Sequence, residues 1–343
     1  MKRLYLAVFI AIALAVLLAL PIGTGPKGYY TYLGYLVFQM VVLTVAWDFA
    51  GGLGRLLSLG NAAFFGVGAT TAAVAIVHGF PMPLSFLVGG VFGAATAVVL
   101  SISLKLRGLY FVMSTLFLAE LMEIVFLNWT SVSGGNVGIY LKVPTNFTFL
   151  PFYYATLIVA VLAIFAYQML RKSRVGLALR AIGDDEDAAR SLGVDPLRYK
   201  IMALIFSAFF TGIIGAIYAN ITLYLTVTDT FSLTWSINPV FAAIIGGVGT
   251  LWGGVIGGVI MALLSQELVS IGAISIAIQS LIMIAIIIIW PTGVYGLVSK
   301  RLLHRSKTTP SAALASSVAV GTQVRTFESN AQDSSEESLR RST

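Results

Sequence analysis

From Leu4 to Trp290 the sequence repeatedly runs for about the length of a membrane crossing with almost no charge to interrupt it. A helix rises about 1.5 Å per residue, so roughly 20 apolar residues cover a hydrocarbon core, and several stretches approach or exceed that length. The charges are few: 21 basic and 14 acidic residues in 343, against 58% hydrophobic residues, with nine of the charges in the 40 residues from His304 on. No ordinary water-facing surface can be built from that mixture, which excludes a soluble enzyme. The chain reads as an all-α polytopic membrane protein, and its lack of cysteine removes disulfides and thiolate chemistry.

Boundaries at charges, Gly/Pro and polar runs place spans at Leu4–Leu20, Thr31–Phe49, Ser58–Val77, Leu84–Leu104, Leu109–Leu127, Leu150–Leu170, Ile201–Ala219 and Ile271–Trp290. Ser236–Leu263 is long for one helix and is broken by Gly246-Gly247-Val248-Gly249-Thr250-Leu251-Trp252-Gly253-Gly254. Such a break at membrane depth is tolerated only where protein or water covers it, so this segment is expected as two short limbs, either a re-entrant hairpin or a pair of spans. The expectation is about eight full transmembrane helices plus this broken hairpin.

Charge gives an independent check. With that count both termini share one side, which receives 14 basic residues: Lys2, Arg3, Arg55, Lys105, Arg107, seven between Arg171 and Lys200, then Lys300 and Arg301. Only Lys27 and Lys142 fall opposite. The positive-inside bias places both termini in the cytoplasm. Leu4–Leu20 lacks a persuasive small-residue cleavage site and is expected to be a retained span rather than a signal peptide. The organisation is then a membrane domain over 1–303 containing a cytoplasmic loop at 171–200, followed by a polar, disordered tail over 304–343.

The 171–200 loop concentrates 12 of the 26 charges of the first 303 residues. Asp184 or Asp185 can cap a short helix whose acidic first turn, Glu186 and Asp187, opposes the positive helix end. Ala188, Ala189 and Leu192 offer a small apolar strip beside Arg190, and Gly193 stops the helix. This is a shape that seats in a groove of another protein; a charged loop that merely satisfies topology has the same composition.

Glu120 and Glu123, three apart, lie near one face of the Leu109–Leu127 span and should face protein or water, as pathway or structural polar residues. Asp48 and Glu267 sit near span ends, where a headgroup-level carboxylate is ordinary. Gly66 with Gly68, Gly89-Gly90 with Gly93, and Gly253-Gly254 with Gly257-Gly258 point to close helix packing. Gly51-Gly52-Leu53-Gly54 is no phosphate loop, because no Lys-Ser/Thr follows. His78 and His304, the only histidines, fall on opposite sides, which leaves no credible metal cluster or catalytic pair.

Several segments together resemble the LivM-type permease subunits of branched-chain amino acid ABC transporters: Gly54 to Ala69, Leu106 to Leu116, Ser133 to Ile139, Gly176 to Ile182, Asp185 to Gly193 and Ile244 to Gly254. The resemblance runs from about residue 30 to 297, and the polar tail lies outside it. It implies an ABC importer permease fold in a prokaryotic cell membrane. It also implies a LivH-like second permease, two cytoplasmic ATPase subunits and an extracytoplasmic substrate-binding protein as partners. ATP would be used by the ATPases, with no cofactor, catalytic residue or metal on this chain. Asp185, Glu186, Ala188, Ala189, Arg190, Leu192 and Gly193 would form the coupling element that seats on an ATPase. Glu120 matches the carboxylate such permeases carry after Thr115-Leu116, whereas Glu123 does not; Asn61 stands where many have His or another polar residue. Relatives that carry urea or short amides keep that cargo open, and an ion-coupled secondary transporter is the alternative of another class.

Overall fold

The computed structural model describes residues 28–142 and 147–269, with isolated positions at 21 and 25 and between 278 and 296. Contacts divide the chain into units over 1–296 and 297–343, and every described residue belongs to the first. The long helices are α1 (Tyr29–Gly51), α2 (Asn61–Val77), α3 (Met82–Leu100, continued as a 3-10 turn to Lys105), α4 (Leu109–Asn128) and α5 (Leu150–Lys172). Two short helices, α6 (Arg174–Asp184) and α7 (Glu186–Ser191), precede α8 (Pro196–Thr222), α9 (Thr234–Gly246) and α10 (Leu251–Val269). A two-stranded ribbon, β1 (Ile139–Tyr140) with β2 (Tyr224–Leu225), lies beyond the far ends of α4 and α8 and pairs antiparallel, with the Tyr140 and Tyr224 rings stacked at 4.4 Å.

Six of these helices are long and apolar enough to cross a membrane, and α2, at 17 residues, is shorter. The protein is a multi-pass, all-helical membrane protein. Each described helix falls close to its expected span, while Leu4–Leu20 and the tail from 304 lie outside the described residues and Ile271–Trp290 lies largely outside them. The start of α2 differs: Ser58 to Gly60 form a turn instead of a first helical turn. That turn is held by side chains from distant helices, with the Leu59 N–H donating to Thr115 Oγ1 at 3.1 Å and Ser236 Oγ donating to the Leu59 carbonyl at 2.6 Å. Ser236 Oγ also accepts the Ala62 N–H at 2.8 Å, so it serves as an N-cap supplied from 174 residues away.

The centre of the bundle is built on backbone contact. A Cβ on Gly89 would sit 2.7 Å from the Gly68 carbonyl oxygen, and one on Gly93 would sit 3.0 Å from the Gly212 Cα. Gly68 and Gly212 face each other in the same way, so α2, α3 and α8 approach as closely as backbones allow. The small-residue pairs expected in α2 and α3 are thus the packing surface, with Gly212 as their partner on α8. Helix α1 runs deep through the structure, with Val42, Leu43, Ala46 and Phe49 fully enclosed.

The glycine break is present between α9 and α10, but the limbs are unequal. Helix α9 has 13 residues, whereas α10 has 19 and is itself long enough to cross. The turn, with Gly247 and Gly249 at φ of 114° and 76°, lies beside Asp48 near the end of α1. The return limb therefore has nearly all of α1 to pack along, with Gly254 facing Val45 and Gly258 facing Val41.

Candidate coupling site

The arm between α5 and α8 is assembled by caps. Ser173 ends α5 and accepts the Gly176 N–H at 3.3 Å to start α6, which turns Ala178, Leu179 and Ile182 inward. Asp185 Oδ1 accepts the N–H groups of Asp187 (2.9 Å) and Ala188 (3.0 Å), and so caps α7. The acidic residues Glu186 and Asp187 occupy the first turn of α7 and Arg190 its last, each favourable to the helix dipole. Gly193, at φ +83°, ends it in the left-handed region, and Asp195 then caps α8 with Pro196 at its first position. The capped short helix expected in this loop is present.

Its apolar strip is divided. Ala189 is buried at 2% exposure, while Ala188 is exposed and Leu192 is 83% exposed. Neighbouring residues on a helix point about 100° apart, so Ala189 faces the bundle when Ala188 and Leu192, four apart, face away together. The outward surface of α7 is therefore a two-residue apolar knob rimmed by charge.

Three cations tie the arm to the bundle. Lys200 Nζ, on α8, lies 2.6 Å from Glu186 Oε2. Arg107, before α4, donates to both Asp187 oxygens at 3.0 and 3.2 Å, and its hydrogen bonds and charge hold that carboxyl below the usual carboxylate range. Arg55, after α1, pairs with Asp184 at 2.8 Å and donates to the Gly183 carbonyl at 3.1 Å. Arg190 reaches back to Glu186 at 3.4 Å. The Arg55 and Arg107 pairs are open to water, where such contacts contribute little to stability, so they set register; Lys200, 7% exposed, and Ala189 hold the arm down. A cleft of about 520 Å³ opens between Arg55, Leu57, Arg107, Phe111, Asp187 and Lys200.

The intramembrane residues fall into different environments. Glu120 is exposed and Glu123 half-buried on α4, whose buried stripe is Phe111, Thr115, Ala119 and Phe126. Among the described residues neither carboxylate forms an ion pair. Asn61, at the first position of α2, is buried, and its Nδ2 has no hydrogen-bond partner among the described residues. Glu267 is exposed near the end of α10. Asp48 lies near the end of α1, as expected, but it is no ordinary carboxylate of a span end: it is enclosed by protein at 1% exposure, accepting the Tyr167 hydroxyl at 2.6 Å and the Gly249 N–H at 2.9 Å. Burying a carboxylate is tolerable here because two donors face it, and those donors lie 119 and 201 residues away, where no sequence spacing reveals them.

Residues 29–291 match the family described as branched-chain amino acid transport system / permease component. The chain belongs to this family. Its relatives include the high-affinity branched-chain amino acid transport system permease protein LivM of Escherichia coli K12, 29% identical over 68% of this chain and 62% of the relative. LivM of Salmonella typhimurium LT2 is 26% identical over 78% of this chain and 70% of the relative. The probable branched-chain amino acid transport permease protein LivH of Methanocaldococcus jannaschii is 24% identical over 64% and 75%. The matched region thus spans about 62% of the first LivM and 70% of the second. No solved structure matches. Within this permease family the chain is similar to LivM-type proteins over most of its length.

Proposed function

We propose that the chain is the membrane subunit of an ATP-driven importer of branched-chain or other hydrophobic amino acids. It pairs with a LivH-like second permease, two ATPase subunits and an extracytoplasmic binding protein. It binds no cofactor itself; ATP is used by the ATPase partners. The basic side, with the arm and both termini, faces the cytoplasm. The observation that carries this reading is α7: a capped helix on the basic side, fastened to α8 by the Glu186–Lys200 pair and presenting Ala188 and Leu192 outward as an apolar knob among exposed charges, in a chain of the permease family. An ATPase groove that takes this knob would push on α8 through Lys200 and on the ends of α1 and α4 through Arg55 and Arg107. Glu120 and Glu123, costly against lipid, are satisfied if α4 faces the second permease or a watery pathway.

The test is to purify the tagged chain in mild detergent, identify its companions by mass spectrometry and reconstitute the recovered complex with the binding protein. ATP-dependent leucine uptake with two ATPases and a second permease is expected. ATP-dependent uptake of urea or short amides instead would change the cargo, and uptake by this chain alone driven by an ion gradient would overturn the mechanism.

A further inference from the structure

The stretch that closes α1 is folded back on itself. The Gly52 and Leu53 N–H groups both donate to the Asp48 carbonyl (3.0 and 3.1 Å), and those of Gly54 and Leu56 both donate to the Ala50 carbonyl (3.1 and 3.0 Å). Trp47 Nε1 adds a bond to the Ser58 carbonyl at 2.9 Å. Residues 48–56 therefore form a stiff knuckle. From its inner end the Asp48 carboxylate holds Gly249, at the turn between α9 and α10, and Tyr167, five residues before α5 ends. From its outer end Arg55 holds Gly183 and Asp184, adjacent to the cap of α7. One rigid piece thus touches both the arm and the broken hairpin.

We propose that this knuckle relays movement of α7 to the α9–α10 turn, with Asp48 as the positioning residue that grips the turn. The relay deepens the importer reading and rests on it. The chemistry suits the role. A backbone N–H of a glycine-rich turn offers little to hold, and a buried carboxylate is among the strongest acceptors available for it. The Tyr167 hydroxyl takes the other oxygen, and the Tyr167 ring packs edge-on against Phe49 at 5.3 Å, which fixes the carboxylate plane. Displacing Arg55 by shifting α7 then shifts the knuckle as a whole, and the turn follows.

The experiment uses the reconstituted complex and compares wild type with Tyr167→Phe, Asp48→Asn and Arg55→Ala. Tyr167→Phe removes a single oxygen and Arg55 is exposed, so both variants should assemble even if the Asp48 change does not. The first readout is amide exchange over residues 246–250 with and without a non-hydrolysable ATP analogue; the second is substrate taken up per ATP hydrolysed. In wild type the analogue should alter exchange at the turn, and in the variants that response should vanish. Uptake per ATP should fall about tenfold in the variants while hydrolysis stays within about twofold, the range by which coupling residues act. Variants that keep the nucleotide response at the turn, or that lose hydrolysis and uptake in parallel, would show Asp48 to be a structural clamp only and would overturn the relay. Failure of the importer reading is separate, because it would appear in the wild type as uptake insensitive to ATP.

Discussion

Lys200 and Glu186 meet at 2.6 Å, joining the fifth residue of α8 to the first residue of α7, and the lysine is nearly enclosed while the glutamate keeps about a fifth of its side chain in water. Removing one partner of such a pair costs more than removing both, because the survivor is left uncompensated. Glu186→Gln should therefore destabilise by about 2 kcal/mol, discounted from the fully buried case for the exposure of the glutamate, and the Lys200→Met/Glu186→Gln double variant should recover part of that loss. Thermal unfolding in detergent reads both; a double variant weaker than the sum of the single changes would contradict this account.

The outward knob of α7 offers a change that spares the fold. Leu192→Glu and Ala188→Glu alter exposed positions, so stability should move by no more than about 0.5 kcal/mol. Yet each would bury an unpaired charge in the proposed ATPase contact, so recovery of the ATPase with the tagged chain should drop and ATP hydrolysis should lose its link to uptake. Ala189→Glu, at a buried position, should instead reduce the folded protein itself. Equal ATPase recovery with Leu192→Glu would remove α7 from the interface.

Ser236 makes a comparably specific claim about the bundle. Its hydroxyl serves the Leu59 carbonyl and the Ala62 N–H together, away from water. Ser236→Ala leaves both unpaired at a cost of about 1–3 kcal/mol, whereas Ser191→Ala, at an exposed position, should be nearly silent. Matching melting temperatures for the two variants would mean that the α2 start is satisfied some other way.

The Asp187–Arg107 contact fixes a pH dependence. The folded carboxyl is held below its ordinary value, so the stabilisation is fully present above the ordinary carboxylate range, near pH 3.9, and is lost as pH falls through the folded value. Amide exchange across α7, corrected for intrinsic rates, should be flat between about pH 5 and 8 and should loosen only below about pH 4. Arg107→Ala should bring that loosening to higher pH. A transition near neutrality in the native protein would assign the contact to a different group.

Much of this architecture could be read from residue order, because membrane crossing and helix capping are local demands. Uncharged length located the helices, Asp185 and Gly193 marked the ends of α7, and the glycine run marked the break between α9 and α10. What escaped depends on proximity between distant segments. Nothing within a few residues of Asp48 distinguishes it from a carboxylate at the membrane edge; its partners come from α5 and the α9–α10 turn. Ser58 reads as helical because its neighbours are apolar, and it takes Trp47, Thr115 and Ser236 together to explain why the chain leaves the helix there. The inward rotation of Ala189 is equally invisible, since a six-residue helix is too short to show a periodicity.

The contact among Gly68, Gly89, Gly93 and Gly212 has a consequence for how such a machine can move. Side chains can trade one rotamer for another and let helices slide, but backbone set directly against backbone has no such slack. Helices α2, α3 and α8 are therefore a keel, free to tilt as one piece and barred from shearing internally. Any alternation between outward and inward openings must then pivot around that keel, with the travel taken up by α4 on its loosely covered flank and by the jointed pair α9 and α10.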